Sequence, residues 1–292
     1  MGNITDNEPV PPPAAKKAKT DDESTALNAL LAESTRANPS KAKEVRRVDY
    51  TPLSYKVSKV SLEFNLFERR TVVDSVLTVE KNDTSGDSGA LDNNGSNDIV
   101  DGLDLDGDEA VVSLLKLSVD GCGNALVPNV DYILQPGKLF IKAETLQKGA
   151  SNSNGKMIVR STVEIVPEDN TQLSGLYKDG SGMFCSQCEA EGFRRVTYYP
   201  DRPDNMATFE SVRIEANAND FPVLLSNGNL VEEGKCDGDD GRKYSIWSDP
   251  FPKPSYLFAL VAGDLGSIHD TFTTMSGRKV DLRFYSEVSY CM

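Results

Sequence analysis

Histidine is nearly missing from this 292-residue chain: there is one, His269. A zinc hydrolase of the H-E-x-x-H kind needs two histidines on consecutive turns of one helix, so the sequence cannot build that site alone. Cysteines are few and odd in number, Cys122, Cys185, Cys188, Cys236 and Cys291, a pattern of reduced thiols rather than of a disulfide framework. Cys185-x-x-Cys188 has neither the second C-x-x-C of a zinc ribbon nor the β-α-β context of a redox pair. No run of about 18 apolar residues is present to span a membrane as a helix, and Met1-Gly-Asn-Ile-Thr-Asp-Asn7 lacks the apolar core of a secretory signal. Positive charge is scarce as well, with 31 Lys and Arg against 45 Asp and Glu, a net charge of −14 and a pI near 4.6. Nucleic acid and anionic membranes are repelled on average and a cationic ligand is attracted. These absences predict a cytoplasmic chain with no nucleic-acid and no membrane partner. The short basic run Lys16-Lys-Ala-Lys19 adds nuclear import as a second location.

What is present is globular composition diluted by polar segments, 38% hydrophobic and 26% charged, on a chain long enough to bury a sizeable core. Residues 1–45 carry Pro9-Val-Pro-Pro-Pro-Ala14 and mixed charges, and read as a disordered leader. One short helix is expected there, over Thr25 to Ala32, with an apolar stripe of Leu27, Leu30 and Leu31. From Tyr55 the period changes to two. Val60, Leu62, Phe64 and Leu66 alternate with polar residues, and Val72 to Val79 can pair back through Phe67-Glu-Arg-Arg70.

Residues 82–109 hold nine carboxylates and no Lys or Arg, so removing them would raise the net charge from −14 to −5. They read as an exposed, disordered acidic insertion. Within them Asp104-Leu-Asp-Gly-Asp108 hints at a calcium loop, but Glu109 stands where the EF-hand turn needs Gly and Leu115 where it needs Glu. Further period-two runs follow at Ser113, Leu115, Leu117 and Val119, at Tyr132-Ile-Leu134, at Lys138 to Lys142 and at Ile158 to Val166, punctuated by Asp120-Gly121 and Pro136-Gly137. Thr208 to Ala216 and Pro222 to Ser226 continue the pattern. Asn227-Gly228 is the clearest hairpin signal, Tyr256 to Ala262 reads as a buried strand, and Thr271 to Met275 with Lys279 to Tyr285 as a last hairpin. The fold class predicted is all-β, an antiparallel β-sandwich or saddle-like sheet.

The densest chemistry lies between Phe184 and Asp204. If Cys185 to Gly192 is extended, Gln187, Glu189 and Glu191 share one face and Cys188 and Ala190 the other. Two carboxylates on one face repel unless a cation or donors lie between them. One reading is the solvated face of an ordinary strand. The other is a site for a cationic group such as an ammonium, since charge-assisted hydrogen bonds to an ionised carboxylate are the stronger kind.

Thr171-Gln-Leu-Ser-Gly-Leu-Tyr177, Phe184-Cys-Ser-Gln-Cys-Glu-Ala-Glu-Gly-Phe-Arg194 and Thr197-Tyr-Tyr-Pro-Asp-Arg-Pro-Asp204 closely resemble the N-terminal domain of the aminopeptidase N (alanyl aminopeptidase) family, bacterial-like branch. The likeness continues through Phe221 to Asn229, Trp247 to Asp264 and Asp270 to Arg278. These are zinc metallopeptidases. The resemblance implies an aminopeptidase N-like β domain over 46–285, interrupted by the insertion at 82–109, with 286–292 the truncated start of the next domain. It also implies that Gln187 and Glu189 lie at the rim of a catalytic site, where Glu189 would bind the substrate's free α-amine. The family's H-E-x-x-H and Gly-Ala-Met-Glu-Asn motifs are not in this sequence. The expectation is therefore the recognition domain of an enzyme that removes N-terminal amino acids. By itself it has no catalytic residues, no cofactor and no activity. Its partners would be a peptide N-terminus and a zinc catalytic domain C-terminal in the same chain. The alternative is a free-standing, non-catalytic β domain that binds peptide N-termini or a protein partner.

Overall fold

The computed structural model describes residues 46–82, 101–123, 125–150, 155–238 and 241–287. The leader, its expected helix and Lys16 to Lys19 lie outside the described residues. The chain divides into two units, 1–50 and 51–292. In the first, Arg47–Asp49 form a single 3-10 turn in which the Tyr50 N–H donates to the Arg47 carbonyl.

The second unit begins with β1 (Tyr55–Leu66) and β2 (Thr71–Lys81), which pair as expected through the Phe67–Arg70 turn, with Leu66 opposite Thr71. Val57, Val60, Leu62, Phe64 and Leu66 point inward. The spacing from Val57 to Val60 is odd because the register shifts between Val57 and Lys59, and a bulge restores the inward face. β3 (Gly102–Asp106) corrects the reading of 82–109 as one exposed insertion. Residues 83–100 lie outside the described residues, but Leu103 and Leu105 are buried and Asp106 nearly so. Counting carboxylates concealed two leucines at period two.

β4 (Ser113–Val119) buries Leu117 and Val119 but exposes Leu115, because its register shifts between Leu114 and Lys116. β5 (Tyr132–Gln135) and β6 (Lys138–Lys142) form the hairpin signalled by Pro136-Gly137, with Gly137 at φ +75°. Helix α1 (Ala143–Ala150) was not expected; it buries Leu146 and carries Glu144 in its first turn and Lys148 in its last, as the helix dipole favours. β7 (Lys156–Ile165), β8 (Gly175–Lys178), β9 (Phe184–Gln187) and β10 (Ala207–Asn217) follow. They are succeeded by β11 (Val223–Ser226), β12 (Asn229–Lys235) and β13 (Arg242–Lys253). The last strands are β14 (Leu260–Gly263), β15 (Leu265–Thr273) and β16 (Lys279–Glu287).

The chain is all-β in class. Among the described residues the largest sheet runs β12-β13-β10-β1-β2-β7-β4, with smaller sheets β11-β14-β9-β8 and β3-β6-β5 and the hairpin β15-β16. Strand pairing is antiparallel except between β1 and β10, which are parallel. Two expectations are corrected. Asn227-Gly228 does not close a hairpin: β11 pairs with β14 and β12 with β13, so this turn carries the chain from one sheet to another. Tyr256 to Ala262 is not one strand, since Ser255–Leu257 is a 3-10 turn and β14 starts at Leu260.

Candidate functional site

β9 ends at Gln187, and the chain then turns instead of continuing extended. The Gly192 N–H donates to the Cys188 carbonyl at 2.9 Å, and the Ala190–Glu191 peptide bond is cis. The single polar face expected for Gln187, Glu189 and Glu191 is therefore not formed. The turn brings the backbone into close approach at Gly192, where a Cβ would lie 2.5 Å from the Gln187 carbonyl and 2.8 Å from Cys188 Cα. Glycine lets the backbone fold back on itself there. Gln187, Glu189, Ala190 and Glu191 are exposed, and Cys188 is buried beneath them.

The floor under this turn is an aromatic cluster. Phe193 opens the 3-10 turn Phe193–Arg195 and packs its ring 5.1 Å from Tyr199, 5.3 Å from Phe258 and 6.0 Å from Phe209. Phe258 in turn stacks on Phe64 of β1 at 5.7 Å. The turn is thus seated on the largest sheet by close-packed rings, whose edge-to-face contacts add to plain apolar burial. Asn205 fixes the Tyr199 ring, accepting from the Val57 N–H at 2.8 Å and donating to the Tyr199 hydroxyl at 2.7 Å.

Asp201 organises the charges. It is 3% exposed. Its carboxylate accepts from the Arg194 N–H at 3.1 Å, from Arg194 Nε at 3.2 Å and from the Ser255 hydroxyl at 2.6 Å. Its own N–H donates to Asp106 Oδ2 at 3.0 Å. Arg194 Nη2 donates to the Asp201 carbonyl at 3.2 Å and reaches Glu191 Oε2 at 2.8 Å. Arg195 turns the other way, pairing with Asp108 and donating through Nε to the Ser174 carbonyl at 3.0 Å. Arg202 pairs with Asp204 at 2.7 Å across the loop. The acidic stretch at 104–108 is consequently part of the scaffold: Asp106 and Tyr199 exchange backbone hydrogen bonds at 2.8 and 3.1 Å, and the Asp108 N–H donates to the Arg194 carbonyl. From sequence Asp106 and Asp108 stood out only as part of a hinted calcium loop, and Ser255 did not stand out at all. The period-two Leu103 and Leu105 were the available signal for the first two.

Two polar groups on the turn remain unspent. The Glu189 carboxylate makes no hydrogen bond or ion pair among the described residues, and Gln187 uses only its side-chain carbonyl, which accepts from the Glu189 N–H at 3.1 Å. That carbonyl keeps a second lone pair. The thiols beside them are poor nucleophiles. Burial, with a smaller contribution from the Asp201 charge, pushes the Cys188 thiol far above its ordinary range, and burial raises Cys185 as well. The four described cysteines are free. No group of three His, Cys, Asp or Glu able to hold a metal occurs among the described residues. No helix among them is long and apolar enough to cross a membrane.

Comparison with known proteins places this geometry. Residues 133–257 match the Peptidase M1 N-terminal domain. The chain is 42% identical over 241 residues to aminopeptidase N of Caulobacter vibrioides, covering 82% of this chain and 24% of that protein. It is 38% identical over 239 residues to aminopeptidase N of Escherichia coli K12, again covering 82% and 24%. It thus spans about a quarter of the length of the curated relatives it matches. Among solved structures it resembles Legionella pneumophila aminopeptidase A, crystallised with aspartic acid, at a TM-score of 0.68 and 34% identity over 83% of this chain and 25% of that one. An M1 zinc metallopeptidase of Deinococcus radiodurans shares the fold at a TM-score of 0.60 and 17% identity, over 82% of this chain and 49% of that one. The chain therefore carries a Peptidase M1 N-terminal domain and is similar over most of its length to the bacterial aminopeptidases N.

Proposed function

We propose that this domain is the substrate-recognition part of a zinc aminopeptidase, and that Glu189, assisted by Gln187, holds the α-ammonium of the peptide. The observation that carries the reading is the Glu189 carboxylate, unpaired among the described residues and exposed on a turn whose other charges, Glu191, Arg194 and Asp201, are engaged. A peptide α-amine has a pKa of about 7.7 to 8.0 and is largely charged at neutral pH, so a carboxylate selects it over an acylated terminus. The residues here do not fit the family's zinc, because one histidine cannot supply the ligands. In this reading the metal sits in a catalytic domain C-terminal in the same longer chain, and no bond-breaking step belongs to the residues of this domain. The proposed location is the cytoplasm.

The test is a titration of the isotope-labelled 292-residue chain with alanyl-alanine amide, using its N-acetylated form as the blank. The free amine is expected to move the resonances of residues 187–192 with a Kd on the order of 0.1 M, since one exposed ion pair contributes at most about 1 kcal/mol. The acetylated compound should leave them in place, and Glu189→Gln should abolish the response. Equal responses to the two compounds would remove the amine reading.

A further inference from the structure

Resting on that reading, we infer that Arg194 is a positioning residue: it holds Glu191 in an ion pair, so that the turn presents one carboxylate to an amine and not two. Glu189 and Glu191 lie two residues apart on an exposed turn. Unpaired, they would repel each other, and together they would take an ammonium at either of two places. An enzyme that cuts the bond next to a bound amine can use only one of those places, because the reacting groups must be held in one geometry.

Arg194 is built for this. Its Nε and backbone N–H both donate to the buried Asp201 carboxylate, and its Nη2 donates to the Asp201 carbonyl. The same Nη2 is 2.8 Å from Glu191 Oε2. Asp201 is held in turn by Ser255 and Asp106. The side-chain exposures fall from 56% at Glu191 to 27% at Arg194 and 2% at Asp201. A surface carboxylate is thereby tied to an anchor that cannot move with solvent. The planar guanidinium serves both acids at once, which a lysine ammonium on a flexible stem does not do in a fixed geometry. The side chain of the neighbouring Arg195 is engaged with Asp108 and Ser174, and only its backbone N–H, which donates to the Gly192 carbonyl, meets the turn.

The experiment follows the side-chain carboxyl carbons of Glu189 and Glu191 by NMR in the 292-residue chain during titration with alanyl-alanine amide. In the unaltered protein the Glu189 carbon is expected to shift and the Glu191 carbon to stay. In Arg194→Gln both should shift, a change that loosening of the fold alone would not direct to Glu191. Glu191→Gln leaves the bonds between Arg194 and Asp201 intact and serves if the arginine variant does not fold. It should change the affinity at Glu189 by less than about threefold, since an exposed charge is screened. A Glu191 carbon that shifts in the unaltered protein, one that stays in a folded Arg194→Gln, or a larger loss in Glu191→Gln would overturn the role given to Arg194 while leaving Glu189 as the amine ligand. No shift at Glu189 would overturn the amine reading and this inference together.

Discussion

The carboxylate of Asp201 accepts bonds from the Arg194 backbone, the Arg194 guanidinium and the Ser255 hydroxyl. Replacing it by alanine leaves these donors without a partner in a place water barely reaches, and breaking one side of a buried pair costs more than the pair contributes. Asp201→Ala is therefore expected to lower stability by about 3 kcal/mol, read from the denaturant midpoint. A loss under about 1 kcal/mol would mean that the anchor is replaceable. Glu189→Gln should leave the same midpoint unchanged within about 0.5 kcal/mol, because its carboxylate is exposed and unpaired. At this scale the residues proposed to touch a ligand, Gln187 and Glu189, stand out in the chain because they fall in a motif dense with polar chemistry. Those that hold them were not. Asp106 lies 95 residues from Asp201 and Ser255 lies 54 away, and no local pattern announces such a partner.

Asn227-Gly228 illustrates the scale of the element. Gly228 adopts φ +85°, and a Cβ there would lie 2.2 Å from the Ser248 carbonyl oxygen. Asn227 accepts from the Ala259 N–H at 2.7 Å and donates to the Leu257 carbonyl at 3.1 Å, pinning the loop before β14. Gly228→Ala is expected to cost about 2 kcal/mol or more, from backbone strain and the close carbonyl together. Thermal unfolding of the variant checks it. The dipeptide correctly announced a turn with positive φ. It could not announce which strands would pair, because β11 and β12 each find a longer-range partner in a different sheet. The same limit hid β3, whose leucines were outnumbered by carboxylates, and the bulge that turns Leu115 outward. Turn chemistry is local, whereas register is settled by the strand alongside.

For the molecule as a whole, pH acts through shifted groups on both sides of neutrality, and the signs can be worked out. Hydrogen bonds from Ser58 and then Lys156 hold the Glu80 carboxyl below its ordinary 4.5, and the Arg160 bond holds Asp120 below 3.8. A depressed carboxyl stabilises the fold above its unfolded pKa, and that contribution is lost as pH falls through the folded value. Both groups are near the surface, so the acid limb should be shallow. On the alkaline side burial raises Cys188 from 9.0, Tyr199 from 10.0, and Tyr55 to about 12, the last with help from the Asp101 charge. Groups raised in the fold stabilise it fully below their unfolded pKa and progressively less as pH rises above it. Urea midpoints are thus expected to be flat from about pH 6 to 8 and to fall more steeply above about pH 9 than below about pH 5. A steeper acid limb would contradict this assignment.

The 292-residue chain is also expected to show no hydrolysis of alanine anilides with zinc added; zinc-dependent turnover would show that the donor count misled. That expectation needs only the sequence, as do the all-β class, the family motif and the acidity. Each follows from composition or from residues close together in the chain, where period, spacing and charge act directly. The tertiary structure alone decided that the motif turns after Gln187, that Glu191 is engaged while Glu189 has no partner among the described residues, and that part of the acidic stretch is scaffold. These depend on contacts between distant segments, and burial makes such contacts strong without leaving a mark in the local sequence.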